Sequence, residues 1–186
     1  MFFKAEEIIK DSDHLIREKS KPVELPLSEE DKKLALKLLS HVKCSQDPEL
    51  SEKENIRPAV GIAAVQVGVL KQLLGVCIPM GEDKEDIELA LANPKIISNS
   101  VQMAYLKEGE GCLSVEDEHA GYVPRSARIK VRAYDCIQDK EVIFRLSGYP
   151  AIVLQHEIDH FSGILFYDHI NPVNPWQPIE DAIVIE

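Results

Sequence analysis

The sequence predicts an α+β fold in which antiparallel β-sheets pack around a central buried helix. Residues 29–43 carry apolar side chains at helical spacing, residues 73–146 contain several strand-like segments, and residues 151–161 form a second, mostly apolar helical segment. A helix followed by strands and then by one apolar helix is typical of an α+β domain. The chain has 186 residues, the size of one typical domain, and we expect a single domain over residues 1–186.

The first helix is predicted from its cap and its apolar positions. Residues 1–26 are mixed in character and contain two prolines near their end, which predicts an extended N-terminal segment. Ser28 precedes three acidic residues and is a suitable N-cap, because its hydroxyl can accept a backbone N–H of the first turn. The helix is expected over residues 29–43, followed by a polar loop over residues 47–57.

The middle of the chain is predicted to be mostly β-structure. The expected strands cover residues 73–78, 89–97, 101–106, 129–133 and 141–146, with a last short strand at 182–185. Pro94 marks a sheet edge or a bulge, since proline cannot donate to a strand ladder. The acidic run at residues 81–86 predicts a solvated loop or hairpin tip.

The second helix is predicted to begin after a capping segment. Residues 147–150 read Ser-Gly-Tyr-Pro, and proline is favoured in the first turn of a helix. The helix is expected from about residue 151 to residue 161, with Gly163 as its end. Its first four residues are apolar, so the helix is predicted to be buried.

The charge and the cysteines limit the possible partners and compartment. The chain has 21 Lys and Arg against 32 Asp and Glu, a formal net charge of −11, which argues against affinity for bare nucleic acid or an anionic membrane. The N-terminus lacks a secretory pattern and no apolar run approaches the roughly 20 residues that span a bilayer, so a cytoplasmic protein is expected. The four cysteines leave a disulfide formally open, but we expect reduced thiols, with Cys77 and Cys136 buried as small hydrophobes.

The second helix encodes a possible metal site, because residues 155–160 read Gln-His-Glu-Ile-Asp-His. His156 and His160 project from nearly the same helix face, one turn apart, so both imidazoles can reach one metal ion. Glu157 lies slightly off that line, where its carboxylate can take a proton from a metal-bound water. The alternative is an ordinary helix with half-exposed histidines, but burying these groups without partners is costly, which favours the metal site.

Such a site needs a third protein ligand and an open position. The candidates downstream of the motif are Asp168, His169, Glu180 and Asp181. None of them has the spacing of the third histidine found in one class of zinc peptidases. Cys112 is a better candidate, because the glycine before it lets the thiolate approach a metal, and a bound metal keeps a thiol deprotonated.

Three short motifs, taken together, resemble those of the peptide deformylase family. Residues 59–66 read Ala-Val-Gly-Ile-Ala-Ala-Val-Gln, residues 110–114 read Glu-Gly-Cys-Leu-Ser, and the third motif is the segment at residues 155–160. The acidic insertion near residues 81–88 and the segment at residues 121–125 resemble the type II class, found in Gram-positive bacteria.

The resemblance implies a metal-dependent hydrolase that removes the N-formyl group from the N-terminal formyl-methionine of newly synthesised polypeptides. Cys112, His156 and His160 would hold the metal, which is physiologically Fe²⁺, with Zn²⁺, Ni²⁺ or Co²⁺ replacing it in isolated protein. Metal-bound hydroxide would attack the formyl carbon, while Glu157 accepts the water proton and later delivers it to the leaving amine. The one departure is Ala59 in place of the family glycine, which costs about 1 kcal/mol if that position requires a positive φ.

The resemblance also implies how the substrate is held. The side-chain N–H of Gln66 and the backbone N–H of Leu113 would stabilise the charge on the formyl oxygen, whereas the alternative for Gln66 is a residue on a surface helix. Val60 and Gly61 would present a strand edge to the peptide. The expected lining of the methionine pocket is Val60, Tyr149, Ile152 and Val153. The alternative for these residues is a place in the core.

Charged residues beside the motifs are expected to support the site. Glu110 and Arg125 are predicted to form an ion pair that supports the site, and the alternative for Arg125 is a surface charge. Asp159 lies off the ligand face of the helix and is expected to order a neighbouring loop. His119 and His169 are expected to be ordinary surface or loop histidines.

The expected partners are nascent formyl-methionyl polypeptides, with transient ribosome contact, no membrane, no direct sequence-specific nucleic-acid binding and a monomeric state. Residues 178–186 are neither basic nor clearly helical, so we expect ribosome contact to use a different surface. The cluster Arg125, Arg128, Lys130 and Arg132 indicates that charge is unevenly spread over the chain.

Two other classes of protein stay open at this point. One is a zinc endopeptidase that uses a downstream acidic ligand, and the other is a non-catalytic deformylase-like protein that binds nascent chains or ribosomes. Glu157 and Gln66 are both present, which favours the enzyme over the non-catalytic protein.

Overall fold

The computed structural model describes residues 2–81 and 83–186, and it confirms the α+β fold class. The α-helices of these residues are α1 (Glu29–Ser45), α2 (Pro48–Glu54) and α3 (Tyr149–Asp159). The strands are β1 (Gly61–Ala63), β2 (Leu73–Ile78), β3 (Ile87–Asn99), β4 (Met103–Leu106), β5 (Arg125–Ser126), β6 (Arg128–Asp135), β7 (Lys140–Ser147) and β8 (Ile183–Ile185). Short 3-10 turns lie at Ala5–Glu7, His14–Arg17, Ala64–Val67, His160–Ser162 and Phe166–His169.

The strands form two sheets. The larger sheet has the order β1-β2-β3-β6-β7, and every neighbouring pair in it is antiparallel. The smaller sheet has the order β5-β4-β8, with β4 antiparallel to β5 and parallel to β8. The parallel pair departs from the antiparallel expectation. Because β4 and β8 are far apart in the sequence, no hairpin turn dictates their relative direction.

The N-terminal part of the chain largely follows the sequence prediction. The segment before α1 is mostly extended, interrupted by two 3-10 turns. The Ser28 hydroxyl accepts the backbone N–H of Asp31 at 3.1 Å, which satisfies one donor of the first turn of α1. The helix continues two residues beyond the predicted end, to Ser45.

The polar loop predicted for residues 47–57 is wrong, because α2 occupies most of it. The Asp47 side chain accepts the backbone N–H of Leu50 at 3.0 Å, and Pro48 fits the first turn, where no N–H is needed. Asn55 ends the helix in the left-handed conformation, with φ 52°. Both ends of α2 are therefore specified by local polar residues rather than by an apolar stripe.

The predicted strands are all found, with β3, β6 and β7 longer than predicted and β4 and β8 starting later than predicted. The prediction for Pro94 is confirmed as a bulge in β3, where the register with β6 shifts between Ala92 and Lys95. Asn93 adopts a φ of 50° within this bulge. The acidic run connects β2 and β3 outside regular strands, as predicted, although its residue Glu82 lies outside the described residues.

Two hydrophobic clusters lie on the two sides of the larger sheet. On one side, α1 packs through Leu38 and Val42 against sheet residues such as Leu73. On the other side, α3 packs through Leu154 in a cluster that contains Val76. Successive residues of a strand point to opposite faces, which lets β2 contribute to both clusters. Most residues of α3 are consequently buried.

The end of α3 determines where the histidine motif lies. The helix begins two residues before the predicted start and ends at Asp159, where the chain tightens into a 3-10 turn. Gly163 then closes this turn with a φ of 69°, a conformation that glycine adopts without strain. His160 therefore lies just beyond the α-helix, one turn after His156.

All four cysteines are free thiols, so the formal possibility of a disulfide is not realised. Cys77 lies in β2 and Cys136 directly follows β6, and both are buried as predicted. None of the helices in residues 2–81 and 83–186 combines the length and apolar character required to cross a bilayer.

Candidate metal centre

Three possible metal ligands converge between α3 and the loop that joins β4 to β5. The candidate ligand atoms of Cys112, His156 and His160 all lie within 4.8 Å of one another, and all three residues are buried. The Cys112 Sγ is 3.4 Å from the His160 Nε2. Within the described part of the chain, this is the one group of three or more His, Cys, Asp or Glu side chains that could hold a metal ion. It contains none of the candidate ligands that follow the histidine motif, which are Asp168, His169, Glu180 and Asp181.

The surroundings of these donors fit a divalent transition metal. The His156 Nδ1 contacts the Glu110 Oε2 at 2.8 Å, which fixes the ring and leaves its Nε2 for an ion. The buried Nδ1 of His160 and the buried Oε2 of Glu157 have no hydrogen-bond partner among the described residues. One thiolate and two imidazoles are donors that suit zinc, iron or nickel rather than calcium or magnesium.

The electrostatics of the cluster favour a thiolate at Cys112. Burial opposes ionisation of this thiol, but the charge of His160 and the hydrogen bonds from both histidines hold its pKa well below the ordinary value. Burial likewise disfavours a charged His156, whereas its contacts with Cys112 and Glu110 raise the pKa of the ring well above its ordinary value. A metal ion held by the thiolate and two neutral imidazoles would take the place of these histidine protons as the positive charge beside Cys112.

Glu157 lies against β1, where the glycine at position 61 leaves room for its side chain. Burial raises the pKa of the Glu157 carboxyl to about 7, because a dry environment disfavours the charged form. A β-carbon built on Gly61 would lie 2.8 Å from both the Cγ and the Cδ of Glu157. The absence of a side chain at Gly61 therefore makes room for this carboxylate, a role that the sequence analysis missed.

Gln66 is buried and faces Cys112, so the alternative of a surface helix residue is wrong. Its Oε1 accepts the backbone N–H of Ala63 at 2.9 Å. Its Nε2 donates to the Ser114 Oγ at 3.1 Å and to the Cys112 Sγ at 3.4 Å. These bonds hold the side-chain amide in one orientation, with its N–H groups towards the cysteine loop.

The N-terminal segment braces the loop that carries Cys112 and Leu113. The Lys10 Nζ donates to the Leu113 carbonyl at 3.1 Å, and the Asp11 N–H donates to the Ser114 carbonyl at 2.7 Å. The sequence contained no signal for this contact, because Lys10 and Leu113 are 103 positions apart.

A chain of buried charges extends from His156 towards the surface. Arg125 donates to the two oxygens of Glu110 at 2.9 and 3.0 Å and also bonds Asp159. With a side chain only 3% exposed, Arg125 is not the surface charge that was one alternative. Asp159 in turn contacts the His169 Nε2 at 2.8 Å, so His169 is tied to this network rather than being an ordinary surface histidine.

A cavity of about 390 Å³ opens beside the three ligands. All five residues predicted to bind substrate line it, namely Val60, Gly61, Tyr149, Ile152 and Val153. Because β1 is the outer strand of the larger sheet, one of its edges has no partner strand among the residues that the structure describes. The other predicted histidine, His119, lies partly exposed against the ring of Tyr167, with 4.0 Å between the ring centroids.

Ala59 fits its position without backbone strain. It is not among the residues with a positive φ, so the predicted cost of replacing glycine does not arise from its backbone conformation. Its carbonyl accepts the Gln46 Nε2 at 2.8 Å, which ties the start of β1 to the end of α1.

The sequence matches one protein family over most of its length. The profile of the family described as polypeptide deformylase matches residues 5–176. A peptide deformylase of Ligilactobacillus salivarius is 50% identical over 181 residues, covering 96% of this chain and 97% of the relative. Peptide deformylase 2 of Geobacillus stearothermophilus is 50% identical over 179 residues, covering 96% of each chain.

Solved structures of lower identity share the fold. The peptide deformylase from Thermus thermophilus matches with a TM-score of 0.71 and 29% identity, covering 94% of this chain and 89% of that one. A class I type b peptide deformylase from Acinetobacter baumannii, solved with Met-Ala-Ser bound, matches with a TM-score of 0.69 and 30% identity, covering 88% and 96%.

Proposed function

This chain belongs to the peptide deformylase family of enzymes, and from that premise we propose that it removes the N-formyl group from N-terminal formyl-methionine of newly synthesised polypeptides. The resemblance to the type II class is confirmed by relatives that include Bacillus subtilis peptide deformylase 2, at 46% identity. One observation carries the proposal: Cys112, His156 and His160 converge beside Glu157 at one end of a largely apolar cavity.

Cys112, His156 and His160 would hold a divalent metal ion. The donor set suits a transition metal, and the family resemblance favours Fe²⁺, with Zn²⁺, Ni²⁺ or Co²⁺ able to replace it. Such an ion, when bound, supplies a Lewis acid that polarises the formyl carbonyl and lowers the pKa of water. Glu110 orients the ring of His156 for this task.

Glu157 would move the proton. Its Oε2 has no partner among the described residues, so it is free to accept a proton from water and to deliver it to the leaving amine. A carboxyl pKa of about 7 matches the two halves of this cycle, because a group that titrates near the working pH both accepts and donates readily.

Gln66 and Leu113 would stabilise the negative charge that develops on the formyl oxygen. The amide of Gln66 is held by Ala63 and Ser114, and the backbone of Leu113 is held through its carbonyl by Lys10. The Gln66 N–H that donates to the Cys112 Sγ at 3.4 Å would be the one that turns to the formyl oxygen. Oriented donors each contribute about 3 kcal/mol in comparable oxyanion sites.

The substrate would add to the free edge of β1. Backbone bonds from Val60 and Gly61 tolerate any sequence after the first residue, as nascent chains require. The apolar walls formed by Tyr149, Ile152 and Val153 suit the methionine side chain. A relative solved with Met-Ala-Ser bound, the deformylated form of such a substrate, supports this assignment.

The direct test is formate release from formyl-Met-Ala-Ser, with the protein loaded with Fe²⁺ or Ni²⁺ under argon. We expect turnover, and a fully metallated sample that releases no formate would overturn the proposal. Cys112→Ala should lose the metal, whereas Glu157→Gln should keep it and lose turnover. A zinc endopeptidase with a downstream ligand would instead keep its metal in Cys112→Ala and cleave internal peptide bonds.

The substrate class sets the expected setting of the enzyme. Nascent polypeptides emerge from ribosomes, so we expect activity in the cytoplasm and transient ribosome contact. We also expect a monomer, since a single chain contributes every residue named in the site.

A further inference from the structure

The outward side of β6 and its neighbours carries a patch of cations. In β6 the residues alternate, with Ile129, Val131 and Ala133 buried and the intervening side chains directed outwards. The patch, called here the basic sheet face, consists of Lys95 in β3, Arg128, Lys130 and Arg132 in β6, and Arg145 in β7. The strand register places them on one side, because Lys95 is paired with Arg132 and Lys130 with Arg145.

This placement of charge is unfavourable for the isolated protein. Like charges directly opposite on neighbouring strands repel, and here two such pairs occur side by side. Among the described residues, no carboxylate lies within ion-pair distance of any of the five cations. The chain as a whole has 32 acidic residues and a net charge of −11, so acidic residues are not scarce. The concentration of positive charge on this face therefore indicates a polyanionic partner.

The packing of the fold leaves this face open. α1 covers the same side of the larger sheet over β1, β2 and β3, where Leu73 and Ala90 are buried beneath it. Further along the sheet, Arg128, Arg132 and Arg145 are exposed to solvent. The cations of the basic sheet face are thus spread over three neighbouring strands, which suits contact with a polymer backbone better than capture of a small molecule.

We propose that the basic sheet face docks on the phosphate backbone of ribosomal RNA. The charge complementarity comes from five cations without acidic partners, and the choice of the ribosome as the source of RNA rests on the proposed function. Contacts to phosphates carry no sequence information, so this binding needs no recognition of bases. The acidic remainder of the chain keeps the association weak, because it repels the same RNA.

Docking through this face leaves the catalytic cavity accessible. The described residues that line the cavity include none from β6 or β7. The cavity opens along β1, at the opposite end of the five-stranded order from β7. A ribosome-bound molecule would consequently keep the free edge of β1 available to a peptide.

The proposal predicts a specific dependence on salt. Each neutralised phosphate lowers the slope of log K against log salt concentration by about 0.7 to 0.9. Five contacts give a slope of about −3.5 to −4.5, so binding should weaken about 50-fold to 140-fold when salt rises from about 50 to 150 mM. Removal of one cation should make the slope shallower by about 0.7 to 0.9, the contribution of one phosphate contact.

The test is sedimentation of the metal-loaded full chain with purified ribosomes at several salt concentrations. The face variant combines Lys130→Gln, Arg132→Gln and Arg145→Gln. The matched control removes the same number of charges from exposed lysines elsewhere, with Lys4→Gln, Lys19→Gln and Lys53→Gln. We expect the face variant to bind at least tenfold more weakly with a shallower salt slope, and the control to stay within twofold of wild type.

Three results would overturn the proposal: equal losses in both variants, unchanged binding of the face variant, or wild-type binding to phosphatidylserine vesicles but not to ribosomes. Turnover of free formyl-Met-Ala-Ser, measured separately, should be the same in all three proteins, which separates this proposal from the proposed function. Relief of the like-charge pairs should leave the Tm unchanged or higher. If the triple variant does not fold, the single variants Lys130→Gln and Arg132→Gln each test the change of slope.

Discussion

Replacing Gly61 by alanine tests how tightly the catalytic carboxylate is confined. The added β-carbon would lie 2.8 Å from the Cγ and the Cδ of Glu157, and closer still to its Oε1. Non-bonded carbon atoms pack at about 3.5–4.0 Å, so the carboxylate must move by about 1 Å. The moving group is the end of a flexible side chain, which means that the fold can accommodate the change while the catalytic geometry cannot.

The expected effect is therefore large on turnover and small on stability. A displacement of about 1 Å can cost about 10²-fold in rate, equivalent to about 2.7 kcal/mol of transition-state stabilisation. The assay is kcat/KM for formate release from formyl-Met-Ala-Ser, measured together with metal content and Tm. We expect Gly61→Ala to keep a full complement of metal and to fall about 100-fold in kcat/KM.

Gly111→Ala is the matched control, because a β-carbon there meets nothing within 4 Å although the residue lines the same cavity. Its kcat at saturating substrate should stay within about threefold of wild type. A Gly61→Ala variant that retained wild-type kcat/KM with full metal would contradict the proposed confinement of Glu157. Loss of metal from this variant would contradict it too, because the atoms nearest the added β-carbon belong to Glu157 and to none of the three ligands.

Three further predictions concern the surrounding structure. Gly75→Ala should lower the Tm by several degrees but leave the kcat of the folded protein unchanged. The added β-carbon would lie 2.7 Å from the Cα of Leu39 in α1, and a backbone atom of a packed helix cannot move aside. Burial lowers the pKa of His41 to about 4 in the folded protein, against about 6.5 in the unfolded chain. As pH falls from 6.5 towards 4, only the unfolded chain binds a proton at this residue, so the free energy of unfolding decreases. Urea titrations should therefore show the wild type losing up to about 2 kcal/mol more than His41→Gln over that range. Lys10→Met should lower kcat several-fold with KM little changed, and Lys10→Arg should restore it, because the bond to the Leu113 carbonyl positions an oxyanion donor. Unaltered kinetics in Lys10→Met would refute that last role.

The parts of the fold that local sequence specifies were predictable. α1 has its cap at Ser28 and a regular apolar stripe, and β2 is a short apolar run between polar segments, so both followed from neighbouring residues. α2 lacks buried residues, and periodicity therefore could not reveal it. Its signal was the Asp47-Pro48 pair, which specifies a helix start without any apolar pattern.

The candidate site divides in a similar way. The histidines and Glu157 are spaced within one helical turn, so their convergence follows from helix geometry. The contact between Gly61 and Glu157, by contrast, depends on how β1 and α3 approach each other, and no local pattern encodes that distance. Lys10 reaches Leu113 only after the whole chain has folded, which is why a lysine in a segment without any motif gave no functional signal.

The buried charges behind His156 show why two of the motifs must occur together. Arg125 lies between Glu110, from the cysteine motif, and Asp159, from the histidine motif. Burial raises the pKa of both carboxyls, but hydrogen bonds from His156 to Glu110 and from His169 to Asp159, together with the charge of Arg125, hold both pKa values below their ordinary range. Desolvation makes such a network a poor source of folding stability, while removal of one member leaves an uncompensated charge in a dry environment. The benefit is orientation, because Glu110 fixes the ring of His156 and can do so only as a carboxylate. An acid beside the cysteine, an acid between the histidines and one buried arginine therefore form a single unit that holds the ligand loop against α3.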